Sequence, residues 1–295
     1  MLGSPKVVLI TGASSGIGRA TAALLAQQGY RVFGTSRQPA TPALDGFALL
    51  PLDVTDDESV THCLETVIAQ AGRLDVLINN AGTTLPGAVE DIDVDAARAL
   101  FETNFFGAVR MTRAALPALR AAHGAVVNIS SGFGLVGLPF DAYYSASKHA
   151  LEGWAESLRQ EVAPLGVRVL LVEPGYFRSA LNGASRRAVP GLAIYQPPRD
   201  RAFALFDRSI RKGGDPQQVA QAVDRLLSLE HPPLRTPVGR DVTALALGKR
   251  LAPEGLFVRG FRWVYGLEAI HLGPRLFWPV LAVAAGLLAV VRRKT

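Results

Sequence analysis

KVVLITGASSGIGRA, residues 6–20, decides the fold. Val7-Val8-Leu9-Ile10 is a short apolar run with no polar alternation, as in a strand buried on both faces of a parallel sheet. A helical pattern follows from Ile17 to Gln28 and stops at Gly29. Between strand and helix lie Gly12, Gly16 and Gly18. Glycines there permit a tight turn and let backbone N–H groups approach a pyrophosphate at the helix N-terminus. The candidate contacts are Gly12, Ser14, Ser15, Gly16, Ile17 and Gly18. The spacing is G-x-x-x-G-x-G, and such a turn also has a purely structural reading.

Outward from this stretch the pattern repeats. RVFGT (31–35), LLPLDV (49–54), LDVLINN (74–80), AVVNISS (125–131) and VRVLLVEPG (167–175) read as strands. Helical stretches separate them: one opened by the capping box Thr55-Asp56-Asp57-Glu58, one from Asp93 to Ala122 and one from Tyr144 to Ala163. Asp215-Pro216 starts a further helix, and RTPVG (235–239) reads as the last strand. This alternation predicts an α/β fold: a Rossmann-type doubly wound parallel sheet in a single domain, with a helical C-terminal extension. We expect the catalytic domain over residues 1–242, with a substrate loop about 176–215. An amphipathic helical extension then covers 243–275, and an apolar segment with a basic end covers 276–295.

The chain has 295 residues, 49% of them hydrophobic, which is ample for a core. The single cysteine, Cys63, forms no internal disulfide, as in a reducing compartment. A net charge of +6 raises the question of nucleic acid, but the basic residues are scattered and no recognition motif is visible. We expect no nucleic-acid partner and no metal. The first apolar run is too short for a signal core, so no secretory leader is expected.

The end of the second strand bears on the cofactor. NAD recognition calls for a carboxylate about 20 positions past the glycines, whereas this chain has Thr35-Ser36-Arg37. A guanidinium suits the 2′-phosphate of NADP(H), and a carboxylate would repel it. Arg37 also reads as an ordinary solvated residue. Asp53 suits the adenine amino group or, alternatively, the turn into the next helix. Asn79-Asn80-Ala81-Gly82 suits a cofactor or a structural turn equally.

Tyr144 and Lys148 are four apart in a helix and share a face. A free tyrosine titrates near ~10, and a neighbouring ammonium is expected to lower that value. Tyr143 has Ser147 at the equivalent spacing, so Tyr144 is the acid/base candidate. Ser131 ends a strand thirteen residues earlier, where its hydroxyl can steady an alkoxide. Asn104, a poor helix former inside a helix, reads as a polar relay to Lys148 or as a helix-bending residue.

TGASSGIG, NNAG, Asn104, Ser131, YSASK (144–148) and PG (174–175) together resemble the short-chain dehydrogenase/reductase family over roughly residues 5–266. The resemblance implies the tetrad Asn104-Ser131-Tyr144-Lys148, with Lys148 also binding the nicotinamide ribose. It implies cofactor contacts at Asp53-Val54, Asn80-Ala81-Gly82, Pro174-Gly175 and Ser179, where many relatives carry Thr. VEPGYFRS and HPPLRTPVGRD are similar to hydroxysteroid- and retinol-dehydrogenase-like members. The expectation is hydride transfer between NADP(H) and an apolar alcohol, ketone or aldehyde. The alternatives are an oxoacyl-thioester or small-carbonyl reductase and an NADP(H)-sensing binding module without turnover.

The last expectation concerns LFWPVLAVAAGLLAVV, residues 276–291, sixteen residues without a charge and followed by Arg292-Arg293-Lys294. As a helix it is about 24 Å long, short of the ~20 residues of a full span. We expect shallow anchoring on the cytoplasmic side of a membrane. Homo-oligomerisation is left open.

Overall fold

Val7–Ile10 forms β1, and all four of its residues are buried. Val7 and Leu9 enter one apolar cluster and Val8 and Ile10 another, the two-residue alternation of a strand covered on both faces. The computed structural model describes residues 4–38, 46–178 and 191–267. Ser179 and the segment 276–295 therefore lie outside the described residues.

After β1 come α1 (Gly16–Gln27), β2 (Arg31–Ser36), β3 (Ala48–Pro51), α2 (Asp57–Ala71) and β4 (Val76–Asn79). The chain continues through α3 (Val94–Phe101), α4 (Gly107–Ala121), β5 (Ala125–Ile129), α5 (Ala142–Val162) and β6 (Arg168–Pro174). Then follow α6 (Gln196–Arg211), α7 (Gln217–Ser228), β7 (Arg235–Val238), α8 (Arg240–Leu251) and α9 (Glu254–Val264). The sheet has seven strands in the order β3-β2-β1-β4-β5-β6-β7, and every pairing is parallel. Helices α2, α4 and α5 bury Val67, Met111 and Leu158 against one face. Helices α1 and α7 bury Leu25 and Val223 against the other. The Rossmann-type doubly wound single domain expected from the sequence is the fold observed.

Two local expectations need correction. Helix α2 is capped by Asp56, which accepts from the amides of Glu58 and Ser59, and not by Thr55. Thr55 instead donates through its backbone N–H and its hydroxyl to Asp53 Oδ1, at 2.9 and 2.7 Å. The stretch 93–122 is not one regular helix either: a π-helical segment, Glu102–Phe106, joins α3 to α4.

The C-terminal helices α8 and α9 pack on the end of the domain. Leu245, Phe257, Phe261 and Tyr265 join Val136, Leu138, Phe140 and Phe206 in a separate apolar cluster. No helix among the described residues is long and apolar enough to cross a membrane.

Candidate active site

The sheet order reverses between β1 and β4, so the strands' C-terminal ends part there and open a crevice. The glycine turn sits at that point. Gly12 and Gly16 have φ of +68° and +55°, a region that favours glycine. A Cβ on Gly18 would collide with Gly12 O and Asn80 Nδ2, so helix and turn approach as only glycine allows. Thr11 Oγ1 accepts from the amides of Asn80 and Ala81, both at 2.9 Å. Asn80 Nδ2 donates to the carbonyls of Thr11 and Gly12, both at 2.9 Å. The Asn80 amide thus holds the turn in shape. Neighbouring Asn79 is buried and donates to Thr112 and Asn128, tying β4 to α4 and β5.

The N-terminus of α1 meets solvent at Ser14 and Ser15, with no side-chain cap and no acid in its first turn. Its free N–H groups suit a phosphate. Arg37 is exposed just beyond β2. Across from it, Asp53 is held below the usual carboxylate range, first by its bond from the Thr55 amide and in smaller part by the Arg37 charge. Val54 is buried against Gly107. The set fits a dinucleotide: a turn with no room for a Cβ at Gly18 and an open helix end, with the Arg37 guanidinium beyond it.

On the other side of the crevice stand Asn104, Ser131, Tyr144 and Lys148. Asn104 lies in the π-helical segment and is buried. Its Oδ1 accepts from Thr83 N at 2.8 Å, and its Nδ2 donates to Thr83 O at 2.9 Å and Ser147 Oγ at 3.2 Å. Its hydrogen bonds therefore run to Thr83 and Ser147; Lys148 Nζ donates to Ile129 O at 2.9 Å. Both side chains border Gly82, whose Cβ would meet Asn104 Oδ1 at 3.3 Å and Lys148 Nζ at 3.9 Å.

Ser131 follows β5 and accepts from Phe133 N at 3.2 Å, with its hydroxyl near enough to the phenol of Tyr144 to favour its ionised form. Adjacent Ser130 is buried, and its hydroxyl has no hydrogen-bond partner among the described residues. The Lys148 ammonium lies 5.8 Å from the Tyr144 ring centroid. Burial pushes Lys148 down to about 8, opposed by the Glu152 charge. Burial also pushes the Tyr144 phenol above its ordinary value; the nearby Ser131 hydroxyl opposes this and the Asp141 charge adds to it. The lowering expected from the sequence is therefore not the direction found. Desolvation is the largest cause, and Lys148 is not among the causes.

At the end of β6, Gly175 N donates to Val238 O at 2.9 Å and Tyr176 N donates to Asp241 Oδ2 at 2.7 Å. A Cβ on Gly175 would collide with that carboxylate, so Pro174-Gly175 is fixed against the start of α8. Aromatic rings line the space beyond Tyr144. Phe133 stands edge-on to Tyr144 and Tyr176, at 5.6 and 5.8 Å, and lies 6.2 Å from Phe206. Helix α6 is tied across by a buried ion pair: Arg199 donates to Asp91 Oδ2 at 2.7 Å, and Leu192 N donates to Asp91 Oδ1 at 2.7 Å. A separate groove of about 830 Å³ is lined by Val136, Leu138, Ser145, His149, Phe257 and Phe261. It includes none of the reactive side chains, because Ser145 and His149 project from a different face of α5 than Tyr144 and Lys148.

The sequence reading missed the π-helical turn, the Asp91–Arg199 pair, Asp141 and Asp241. Asp241 follows a glycine and a strand end, and Asp141 precedes a helix; either place reads from sequence as a cap.

Residues 6–190 match a family model described as short chain dehydrogenase. The chain is 38% identical to 3-ketodihydrosphingosine reductase of Bacteroides thetaiotaomicron, over 90% of this chain and 99% of that one. It is 36% identical to retinol dehydrogenase 8 of Bos taurus, over 89% and 93%. A short-chain dehydrogenase from Streptomyces avermitilis superposes with TM-score 0.78 at 38% identity, covering 91% of this chain and 100% of that one. A short chain dehydrogenase from Burkholderia cenocepacia in complex with NADP superposes with TM-score 0.69 at 28% identity, covering 87% and 97%.

Proposed function

This chain belongs to the short-chain dehydrogenase/reductase family, and on that premise we propose that it is an NADP(H)-dependent oxidoreductase interconverting an apolar ketone or aldehyde with its alcohol. The observation that carries the reading is the Lys148 ammonium 5.8 Å from the Tyr144 ring, with Ser131 near the phenol, beside the glycine turn. NADP(H) is supported by Arg37, by the missing carboxylate at the end of β2, and by the NADP-bound relative. An apolar substrate is supported by Phe133, Tyr176, Phe206 and Tyr265, and by relatives named for retinol and 3-ketodihydrosphingosine.

Gly12, Gly16, Gly18, Ser14 and Ser15 would hold the pyrophosphate, Arg37 the 2′-phosphate and Lys148 the nicotinamide ribose; once bound, the nicotinamide supplies or accepts the hydride. In the reductive direction Ser131 donates a hydrogen bond to the substrate oxygen. Tyr144 delivers its phenolic proton to that oxygen as the carbonyl carbon is reduced, completing the alcohol. The Lys148 ammonium then stabilises the phenolate left behind. Asn104 acts as a positioning residue, holding the 83 backbone and Ser147 around the lysine. Its link to Lys148 is through shared surroundings.

Consumption of NADPH against a panel of long-chain ketones, retinoids, steroids and acyl thioesters tests the reading. Turnover of an apolar member supports it, and turnover of acyl thioesters alone overturns it. Residues 276–291, with their basic end, support membrane attachment as a further part of the proposal. Full-length protein should sediment with membranes while a chain ending at Gly273 stays in the supernatant, and full-length protein in the supernatant without detergent ends that part.

A further inference from the structure

Lys148 is useful only while charged, because an ammonium stabilises the Tyr144 phenolate and a neutral amine does not. Burial works against that charge and pushes it down to about 8. The polar groups that meet it from other elements are neutral. They are Asn104, the backbone at Gly82 and the Ile129 carbonyl, which accepts from Nζ at 2.9 Å. Asp141 acts on Tyr144 and is not among the causes at Lys148. The countercharge stands on the lysine's own helix. Glu152 is four residues further along α5, so the two side chains leave one face about 5–6 Å apart. Its charge is what opposes burial at Lys148.

The fold fixes that carboxylate in place. Glu152 is 5% exposed, and Arg235 of β7 donates from Nε to its Oε2 at 2.9 Å. Oε1 has no hydrogen-bond partner among the described residues. A Cβ on Gly134 would meet Glu152 Oε1 at 3.3 Å and Ser130 Oγ at 2.7 Å. The free oxygen is thus confined near Ser130, one residue beyond the carbonyl that holds the lysine. A buried carboxylate oxygen that bonds nothing costs free energy, and a neutral side chain would serve packing better.

Arg235 does not cancel this charge. Its one guanidinium also meets Glu156 at 3.1 Å and Glu173 of β6 at 3.7 Å. Glu173 is pushed up to about 7, first by burial and then by the Glu152 charge, so near neutral pH it is only partly ionised. Glu152 and Glu156 still outnumber the arginine. We propose that Glu152 is a positioning residue for the reaction: clamped by Arg235 one helical turn beyond Lys148, its carboxylate keeps the lysine an ammonium beside Tyr144. This inference rests on the reading under Proposed function for the part that Lys148 plays in proton transfer.

The test follows the lysine directly. The full chain has five lysines, so ¹³C at lysine Cε gives a simple NMR spectrum in which Lys148→Met identifies the signal of Lys148. Wild type should titrate near about 8. Glu152→Gln should lower the midpoint by about 1 or more, a tenfold looser hold on the proton. Glu156→Gln takes a carboxylate from the same arginine farther from Lys148 and should leave the midpoint in place. Glu152→Asp keeps the charge on a shorter stem and should fall between. The alkaline limb of kcat for NADPH-dependent reduction of a long-chain ketone should move down with the midpoint. A midpoint that Glu152→Gln does not lower overturns the inference. So does an equal drop in Glu156→Gln, which would reduce the effect to a lost ion pair. If Glu152→Gln does not fold, Glu152→Asp decides, and a midpoint at the wild-type value overturns the inference. A lowered midpoint without turnover of any ketone leaves the hold on Lys148 standing and removes the proposed reaction. Turnover with an unmoved midpoint does the reverse.

Discussion

The two walls of the crevice are built by different means. On the cofactor side, between β1 and β4, backbone and side chain hold each other: Thr11, Asn80 and Thr35 fix a turn in which Gly18 has no room for a larger residue. On the substrate side, rings meet edge to face and one buried carboxyl oxygen, Asp141 Oδ1, has no hydrogen-bond partner among the described residues. The first wall is centred on a glycine turn contiguous in sequence, braced by strand ends distant in the chain, Thr11 to Asn80 and Gly12 to Thr35. The second is assembled from residues far apart in the chain, with Asp91 holding Arg199 and Tyr176 anchored to Asp241. Close packing makes the first wall intolerant of substitution. The second has room for its chemistry to be changed one side chain at a time.

Mutations can break that contrast, and the largest effect is expected on the substrate side. Tyr144→Phe removes the transferable proton and keeps the ring, so kcat should fall ~10³-fold or more while NADPH affinity in a fluorescence titration stays the same. An equal loss of affinity would mean that the two walls are not separable.

Gly18→Ala should then act on the cofactor side alone. The added methyl meets Gly12 O and Asn80 Nδ2, and overpacking of this kind costs about 1–3 kcal/mol. A lower melting temperature together with lost cofactor binding is expected, and a fully stable variant that binds NADPH would refute the cradle.

Next in size is Arg37→Ala. Losing a charge-assisted contact should weaken NADPH binding roughly tenfold to a hundredfold and leave NADH unaltered. Equal effects on both cofactors would remove Arg37 from phosphate recognition.

A smaller effect is expected in stability against pH. Asp141 and Glu173 are each pushed up to about 7 by burial. Raised carboxyl values mean that the folded state binds more protons than the unfolded one, so stability should fall as pH rises from about 4 through 7. Asp141→Asn should flatten that slope in urea denaturation at pH 5 and 8, and an unchanged slope would show that this carboxyl is not the one being desolvated. Smallest of all, Tyr143→Phe should change kcat less than about twofold, since that ring packs with Leu85, Ile92 and Leu100.

The same contrast governs what could be read in advance. The apolar strands, the glycine turn and the Tyr144-Lys148 spacing are local patterns, and each reads directly from neighbouring residues. Arg37 reads as a candidate because its position relative to β2 is also local. Phe133, Phe206 and Tyr265 carry no such signature: they meet only because α6 and α9 fold back over the segment 132–140 that follows β5. Asp141 was hidden in a different way. Its place before a helix offers an ordinary capping role, and only the missing cap hydrogen bond shows that the role is not filled.

The π-helical segment at Glu102–Phe106 carries a consequence of another kind. A π turn holds one residue more than the regular i→i−4 ladder needs. Removing one of the four residues other than Asn104 would let α3 and α4 merge into an ordinary helix whose flanking turns keep their faces, while the residues within the segment turn by about 100°, one residue of a 3.6-residue turn. The apolar faces on either side would still find a core, yet Asn104 would swing away from Thr83 and Ser147. At this point the site depends on how many residues the loop of helix contains, a property of chain length to which side-chain replacement is blind.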